Sequence, residues 1–149
     1  MNTAIYPTLD QASTNDIPFL TEVFLRAMRP HVTAARGEWD EVRERGQFLN
    51  QLSLHSTSII RLDGASVGFL TAIQHRHDVE LHTICLLPEY QCRGLGSTVT
   101  RQLVADARSQ KRGVNLSVLK TNPRAYALYE RLGFVLCGES EHHFHMRLP

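Results

Sequence analysis

The residues best suited to chemistry lie in the stretch Gln91-Cys92-Arg93-Gly94-Leu95-Gly96-Ser97. It falls between an apolar run that reads as a strand, Leu81 to Leu87, and a helical pattern from about Gly94 to Lys111. Two glycines let the backbone come close to a ligand, and a helix start leaves several N–H groups without intrahelical partners. Those dipoles, the partial positive charge of the helix terminus and the adjacent Arg93 make an anion site, with phosphate or pyrophosphate as the natural guest. Taken alone, the spacing fits a plain tight turn equally well.

Its context narrows the choice. Pro88-Glu89-Tyr90-Gln91-Cys92-Arg93-Gly94-Leu95-Gly96-Ser97 resembles the Gln/Arg-x-x-Gly-x-Gly/Ala signature of the GNAT superfamily of acetyl-CoA-dependent N-acetyltransferases. Downstream, Thr121-Asn122-Pro123-Arg124-Ala125-Tyr126-Ala127-Leu128-Tyr129-Glu130-Arg131-Leu132-Gly133-Phe134 resembles the same family's asparagine, short tyrosine-bearing helix and Gly-Phe strand opening. The two matches cover roughly residues 80 to 136, in the family's order and spacing. Before Ser58 the resemblance is one of pattern.

Acetyl transfer from a thioester to an amine needs a held cofactor, a neutral amine, a stabilised oxyanion and a proton for the departing thiolate. The resemblance implies that backbone N–H groups from Cys92 to Ser97, including Gly94, Leu95 and Gly96, hold the pyrophosphate of acetyl-CoA, with Arg93 or Ser97 assisting. It implies that the pantetheine arm pairs with exposed backbone of Ile84 to Leu86, that the Leu86 N–H serves the oxyanion, and that Asn122 bonds the arm from the other side; Gln91 completes the motif. Tyr129 is the general-acid candidate. A phenol of pKa about 10 protonates a thiolate whose conjugate acid lies near about 8.5 only when closely placed, so its contribution is mostly geometric. Packing of the helix onto the sheet is the other use of Tyr129, and the expected use of Tyr126.

Deprotonating the amine is the larger demand. An alkylamine of pKa about 10 is neutral in about one part in a thousand at pH 7, a cost of roughly 4 kcal/mol that a base or a desolvating pocket must offset. Strict alternation in the strand from Glu80 to Leu87 puts Glu80, His82, Ile84 and Leu86 on one face. Glu80 resembles in position the glutamate base of the histone-modifying branch, and His82 the histidine of the arylalkylamine branch; either acts directly or through water. Enzymes of the superfamily that acetylate ribosomal protein N-termini tend to carry glutamate where this chain has Ser117, which lowers that acceptor class.

The elements that must position these groups follow from periodicity. An extended candidate around Ala4 to Pro7 precedes a helix capped at Asn15-Asp16, with Ile17, Leu20, Phe24 and Met28 at helical spacing and an expected stop before Pro30. Arg29 to Gly37 reads as a linker, and Glu38 to about Leu54 as a helix with Trp39, Val42, Leu49 and Leu52 on one face. The charge run Asp40 to Arg45 reads as its solvated side, and Gly46 as a weak point. Acceptor specificity in this family is expected from Arg29 to Phe48, with His31, Arg36 and Trp39 as pocket candidates.

Strands are expected at Ser58 to Leu62 and Ser66 to Ile73 around the hairpin signal Asp63-Gly64, then at Glu80 to Leu87, Val114 to Leu119, Phe134 to Gly138 and His142 to Arg147. Helices are expected at Gly94 to Lys111 and Pro123 to Leu132. The fold class is α/β: a single domain over residues 1–149 with a GNAT-type mixed sheet of about seven strands flanked by about four helices.

With 149 residues and net charge +1, the chain is long enough for one cored domain and lacks the basic excess of a nucleic-acid binder. No apolar run nears the roughly 18 residues of a membrane span and no basic-then-apolar leader opens the chain, so no membrane partner and a cytoplasmic location are expected. Cys85, Cys92 and Cys137 are odd in number and form no Cys-x-x-Cys pair, which points to free thiols. His75-Arg76-His77 and His142-His143-Phe144-His145 have alternate histidines but no acidic or cysteine partner at a recognisable distance, so no metal is expected; the second group is a candidate wall of the acceptor pocket.

The expected activity is therefore N-acetylation of a primary amine, small molecule or peptide, by direct attack in a ternary complex with acetyl-CoA. A non-catalytic acyl-CoA sensor or interaction domain is the alternative. A nucleotide-binding loop is disfavoured because Gly94-Leu95-Gly96 lacks the Lys-Ser/Thr of a P-loop. Homodimers are common in the family, and the C-terminal strands offer an edge.

Overall fold

Adjacent residues of the central strands divide between two apolar clusters, and that division sets the architecture. In the computed structural model, which describes residues 6–149, β2 (Thr57–Leu62) and β3 (Ala65–Gln74) form an antiparallel hairpin. Its turn residues, Asp63 and Gly64, both have positive φ, as a two-residue turn of this kind requires. Successive side chains leave opposite faces of a strand. Ile60 and Leu70 therefore join one buried cluster, while their neighbours Ile59 and Phe69 join the other.

The full sheet has seven strands in the order β1-β2-β3-β4-β5-β7-β6, completed by β1 (Thr8–Gln11), β4 (Asp78–Leu86), β5 (Gly113–Leu119), β6 (Val135–Glu139) and β7 (His143–Leu148). All neighbours are antiparallel except β4 and β5. The crossover between that parallel pair carries α3 (Leu95–Ser109), and α4 (Pro123–Arg131) follows β5. Leu95 and Val99 of α3 and Tyr129 of α4 lie in the first cluster with Val114 and Leu116. The second face is covered by α1 (Ile17–Arg36) and α2 (Glu41–Gln51), with Leu20, Val23 and Ala27 buried against Phe69 and Cys85. Each fully buried aliphatic or aromatic side chain contributes about 1.5–3 kcal/mol, so neither layer is dispensable.

The α/β class, the seven strands and the four helices agree with the expectation, and most element ends move by one or two residues. Four details differ. The first strand is an edge strand, but at Thr8–Gln11; Tyr6 and Pro7 are not in it, and Ala4 and Ile5 lie outside the described residues. Helix α1 does not stop before Pro30 but runs through it, so the expected linker is helical. Pro30 leaves the Arg26 carbonyl without its usual donor, yet burial of Ala27 and Val32 on either side carries the helix onward. It ends at Gly37, whose φ of 77° suits a left-handed cap and whose N–H bonds the Thr33 carbonyl at 2.8 Å.

Helix α2 begins three residues later than expected because the Asp40 carboxylate caps it, accepting from the Arg43 N–H at 3.1 Å. That start turns its face. Val42 is 84% exposed, whereas Glu44 from the expected solvated side is 5% exposed and pairs with Arg43 at 3.3 Å. Phe48 and Leu52 complete the buried side, and Gly46 does not interrupt the helix.

The fourth difference is in β4. Thr83 pairs with Thr71 and Leu81 with Ala72, so His82 is an extra residue in a β-bulge. The bulge reverses the alternation. Leu81 and Ile84, three apart, both pack in the α3 and α4 layer, and Cys85 turns to the α1 layer. Glu80 and His82 therefore do not share a face with Ile84 and Leu86.

Candidate active site

The site follows from a parallel pair that stays together for only part of its length. Strands β4 and β5 pair from Asp78 with Gly113 to Leu81 with Leu116, and no pairing continues to Leu86 or Leu119. Beyond that point they part, leaving backbone edges open to a cleft. The Leu87 N–H bonds the Val67 carbonyl at 2.9 Å. Alternation along the strand then turns the N–H and carbonyl of Leu86 away from β3, toward the gap. The Gln91 amide donates to that Leu86 carbonyl at 3.0 Å, tying the strand end to the glycine loop.

Pro88 ends the strand and starts a short turn to Tyr90. Cys92 and Gly94 follow with φ of 63° and 80°. Helix α3 has Gly94 as N-cap with no side-chain cap, and its first bond is from the Thr98 N–H to the Gly94 carbonyl at 3.0 Å. The N–H groups of Leu95, Gly96 and Ser97 have no partner within the helix and form a cradle for an anion. Gly96 is helical, and a Cβ there would meet Leu128 Cδ1 at an ordinary 3.6 Å.

A cleft of about 770 Å³ runs past this cradle. Of the sequence-predicted cofactor residues, Ile84, Leu86, Gln91, Cys92, Gly94, Leu95, Gly96, Ser97 and Asn122 all line it. Arg93 does not; its guanidinium lies over the Tyr90 ring, 5.3 Å from the centroid. The cations in the lining are Arg124 and Arg131 of α4. Arg124 donates to the exposed Cys92 sulfur at 2.7 Å, bridging from α4 to the loop. Asn122 caps α4 through its side-chain oxygen, which accepts from the Ala125 N–H at 3.2 Å, and its amide nitrogen remains available to the cleft.

A second cavity of about 490 Å³ lies on the other side of the gap, with Glu80, His82, Thr83, Ser117 and His143 among its walls. Met28, Ile84, Asn122, Ala125 and Tyr129 line both cavities, so the two are continuous at the parting of the strands. Tyr129 stands at that junction, 7% exposed, with its ring edge-on to Phe134 at 5.8 Å. Burial, with Cys85 adding to it, raises the phenol well above its usual range. Cys85, fully buried, is pushed up to about 12 by the same desolvation. Both groups keep their protons at neutral pH.

Glu80 is half-buried, and His82 is exposed with its Nδ1 2.9 Å from Thr83 Oγ1. His143 was expected only as part of a group; burial first, then His145, His142 and Arg36, lower its pKa. Ser117 Oγ lies 2.7 Å from His145 Nδ1. Among the earlier pocket candidates, His31 lines the larger cleft, whereas Trp39 sits before α2 with Arg29 over its ring and lines neither cavity. Sequence reading missed Phe24, Met28 and Gln51 as cavity walls and Arg124 and Arg131 as the cleft's cations. A signal for Arg124 and Arg131 was present: they flank Tyr129 and Leu128 on a short helix that begins at Asn122. Among the described residues no group of three or more His, Cys, Asp or Glu is arranged to hold a metal ion, and no helix is long and apolar enough to cross a membrane.

A mixed sheet whose parallel pair parts over a glycine cradle defines an acyltransferase-type fold, and the family comparison agrees. The model of the acetyltransferase (GNAT) family matches residues 20–134, and the chain belongs to that family. No curated protein matches the chain by sequence. Among solved structures, it is similar to the PaiA N-acetyltransferase of Thermoplasma acidophilum in complex with coenzyme A, at 17% identity and TM-score 0.73, with 95% of this chain and 97% of that one covered. An acetyltransferase of Thermus thermophilus aligns at 22% identity and TM-score 0.72, with 97% of each chain covered. The ribosomal-protein-S18-alanine N-acetyltransferase of Escherichia coli aligns at 23% and 0.69, covering 96% of this chain and 93% of that one. Likeness at these identities speaks for the fold.

Proposed function

We propose that the chain, as one domain over residues 1–149, transfers the acetyl group of acetyl-CoA to a primary amine by direct attack in a ternary complex. The observation that carries this reading is the junction: a cleft with a helix-start anion cradle and a separate cavity meet at Tyr129 and Asn122, where β4 and β5 part. The pyrophosphate rests on the N–H groups of Leu95, Gly96 and Ser97, with the cations Arg124 and Arg131 near it. The pantetheine arm follows the open edge of β4 past Ile84 and Leu86, with the Asn122 amide on the other side.

The thioester carbonyl then lies in the gap, its developing oxyanion facing the Leu86 N–H. The amine enters from the smaller cavity, gives its ammonium proton to Glu80 or His82, directly or through water, and attacks the carbonyl carbon as the neutral amine. The carbon–sulfur bond then breaks, Tyr129 gives its proton to the sulfur, and the second nitrogen proton passes through water to restore the phenol. The products are an N-acetyl amine and coenzyme A with a free thiol, with no acetyl-enzyme. A phenol raised by burial is a weak acid in water, but a thiolate leaving in the same dry gap is correspondingly basic.

The test is thiol release from acetyl-CoA with a panel of amines and N-terminal peptides, for the wild type, Glu80→Gln and Tyr129→Phe, with acetyl-CoA binding measured by calorimetry. Tyr129→Phe is expected to lower kcat by about a hundredfold or more while leaving affinity for acetyl-CoA within about threefold. Tight acetyl-CoA binding with no thiol released by any amine would replace the enzyme with a sensor.

A further inference from the structure

The two cavities that meet at Tyr129 differ in charge. The larger is lined by two guanidinium groups, Arg124 and Arg131, and by no carboxylate. The smaller is lined by one carboxylate, Glu80, and by no lysine or arginine. Its remaining polar walls are neutral hydrogen-bonding groups from Gln51, Thr83, Ser117, Asn122 and Tyr129, together with His82 and His143. Arg36 at the end of α1, whose charge acts on His143, is outside the lining, and the other groups acting on that ring are His142 and His145. Opposite Glu80 the wall is apolar: Phe24 and Met28 come from α1, and the Phe24 ring is held by stacking on Phe48 at 4.5 Å.

Resting on the transfer reading above, we infer that the acceptor is a compact amine with an apolar body and no carboxylate or phosphate beside its amino group. An ammonium group is drawn to Glu80, and an alkyl or aryl body packs against Phe24 and Met28. A carboxylate on the amine-bearing carbon would enter the same cavity close to Glu80, with no lysine or arginine in the wall to pair it. Burying an unpaired charge beside a like charge is strongly disfavoured, so free amino acids are rejected by negative charge even where their side chains fit. Phosphorylated amines are rejected for the same reason.

The experiment ranks matched pairs by kcat/KM in thiol release with saturating acetyl-CoA: phenethylamine against phenylalanine, isoamylamine against leucine, and ethanolamine against phosphoethanolamine. Phenylalaninamide, which keeps the carbon skeleton without the negative charge, separates charge from bulk. The uncharged-flank member of each active pair is expected to exceed its acidic partner by about a hundredfold or more, with phenylalaninamide between phenethylamine and phenylalanine. Ser117→Arg places a cation on an exposed wall position of β5 and is expected to shrink that ratio at least about tenfold; Thr83→Lys is the second variant should the first fail to fold. Equal or better turnover of the acidic members by the wild type overturns the inference while leaving the transferase reading intact, and so does a preference for long peptides alone. If acetyl-CoA binds and no amine releases thiol, the transferase reading falls and the inference with it.

Discussion

The glycine-loop side of the cleft is built mostly from backbone, whereas the α1 and α2 side presents side chains, and the two sides are readable from sequence to different depths. On the first side, what matters is where β4 ends, where α3 begins and which positions lack a Cβ. On the second, what matters is which face of each helix meets the sheet, which depends on packing partners far along the chain. Phe48, for instance, stacks on Phe24 and lies tilted against Phe69, residues that lie 24 and 21 positions away. A ligand site built on main-chain geometry leaves glycines and caps behind as marks. One built on side-chain placement leaves ordinary leucines, methionines and glutamines.

The largest expected effect that would break this contrast is on stability. Phe69 is fully buried and stands beneath Phe48, so it anchors both α1 and α2 to the sheet. Phe69→Ala is expected to cost about 3–5 kcal/mol in urea unfolding. A loss below about 1 kcal/mol would mean that the acceptor-side layer does not depend on this core.

The glycine cradle gives a sharper, smaller test. Gly94 has φ of 80°, a conformation that costs an L-residue roughly 1–2 kcal/mol, so Gly94→Ala should lower both stability and acetyl-CoA affinity. Gly96 sits inside α3 with room for a methyl group. Gly96→Ala should therefore leave stability unchanged or raise it by about 0.5–1 kcal/mol. Its affinity for acetyl-CoA by calorimetry should still fall about tenfold, because the added methyl group stands toward Leu128 in the lining of the cleft. Unchanged affinity would remove the cofactor from this loop.

A third test is pH dependence. Because burial raises the Tyr129 phenol, the proton it donates stays in place to higher pH than on a free tyrosine. The profile of kcat/KM should show no falling limb up to about pH 10, where an ordinary phenol would already be half ionised. A fall with a midpoint near about 10 would place Tyr129 in water rather than at a dry junction.

The smallest effects concern thiols. Cys85 is buried and pushed up to about 12, while Cys92 and Cys137 are exposed. Iodoacetamide at about pH 8 should modify Cys92 and Cys137 and reach Cys85 only after denaturation. Acetyl-CoA at about ten times its Kd should slow Cys92 modification about tenfold and leave Cys137 unaffected.

Periodicity and turn residues made nearly all strands and the two C-terminal helices legible, because each is bounded by a local signal such as Asp63-Gly64, Pro88 or Asn122-Pro123. Pro30 misled because the local loss of one helix bond is outweighed by burial of Ala27 and Val32. Val42 misled because Asp40, not Glu38, sets the phase of α2. The bulge at His82 was invisible because nothing in its side chain requires it; it is defined only by the register with β3. The site residues were recognisable as types and motif positions. Which of them face one another across the gap was not, since that depends on the bulge and on the parting of β4 from β5.

The central claim is that the thioester lies where β4 and β5 part, between the cofactor cleft and the acceptor cavity. The most direct measurement is a crystal structure with acetyl-CoA bound. The account predicts the pyrophosphate on the N–H groups of Leu95 to Ser97, the thioester oxygen within about 3.2 Å of the Leu86 N and the sulfur within about 4 Å of the Tyr129 hydroxyl. A cofactor seated with its thioester outside the gap, or with Tyr129 more than about 6 Å from the sulfur with no water between, would contradict it.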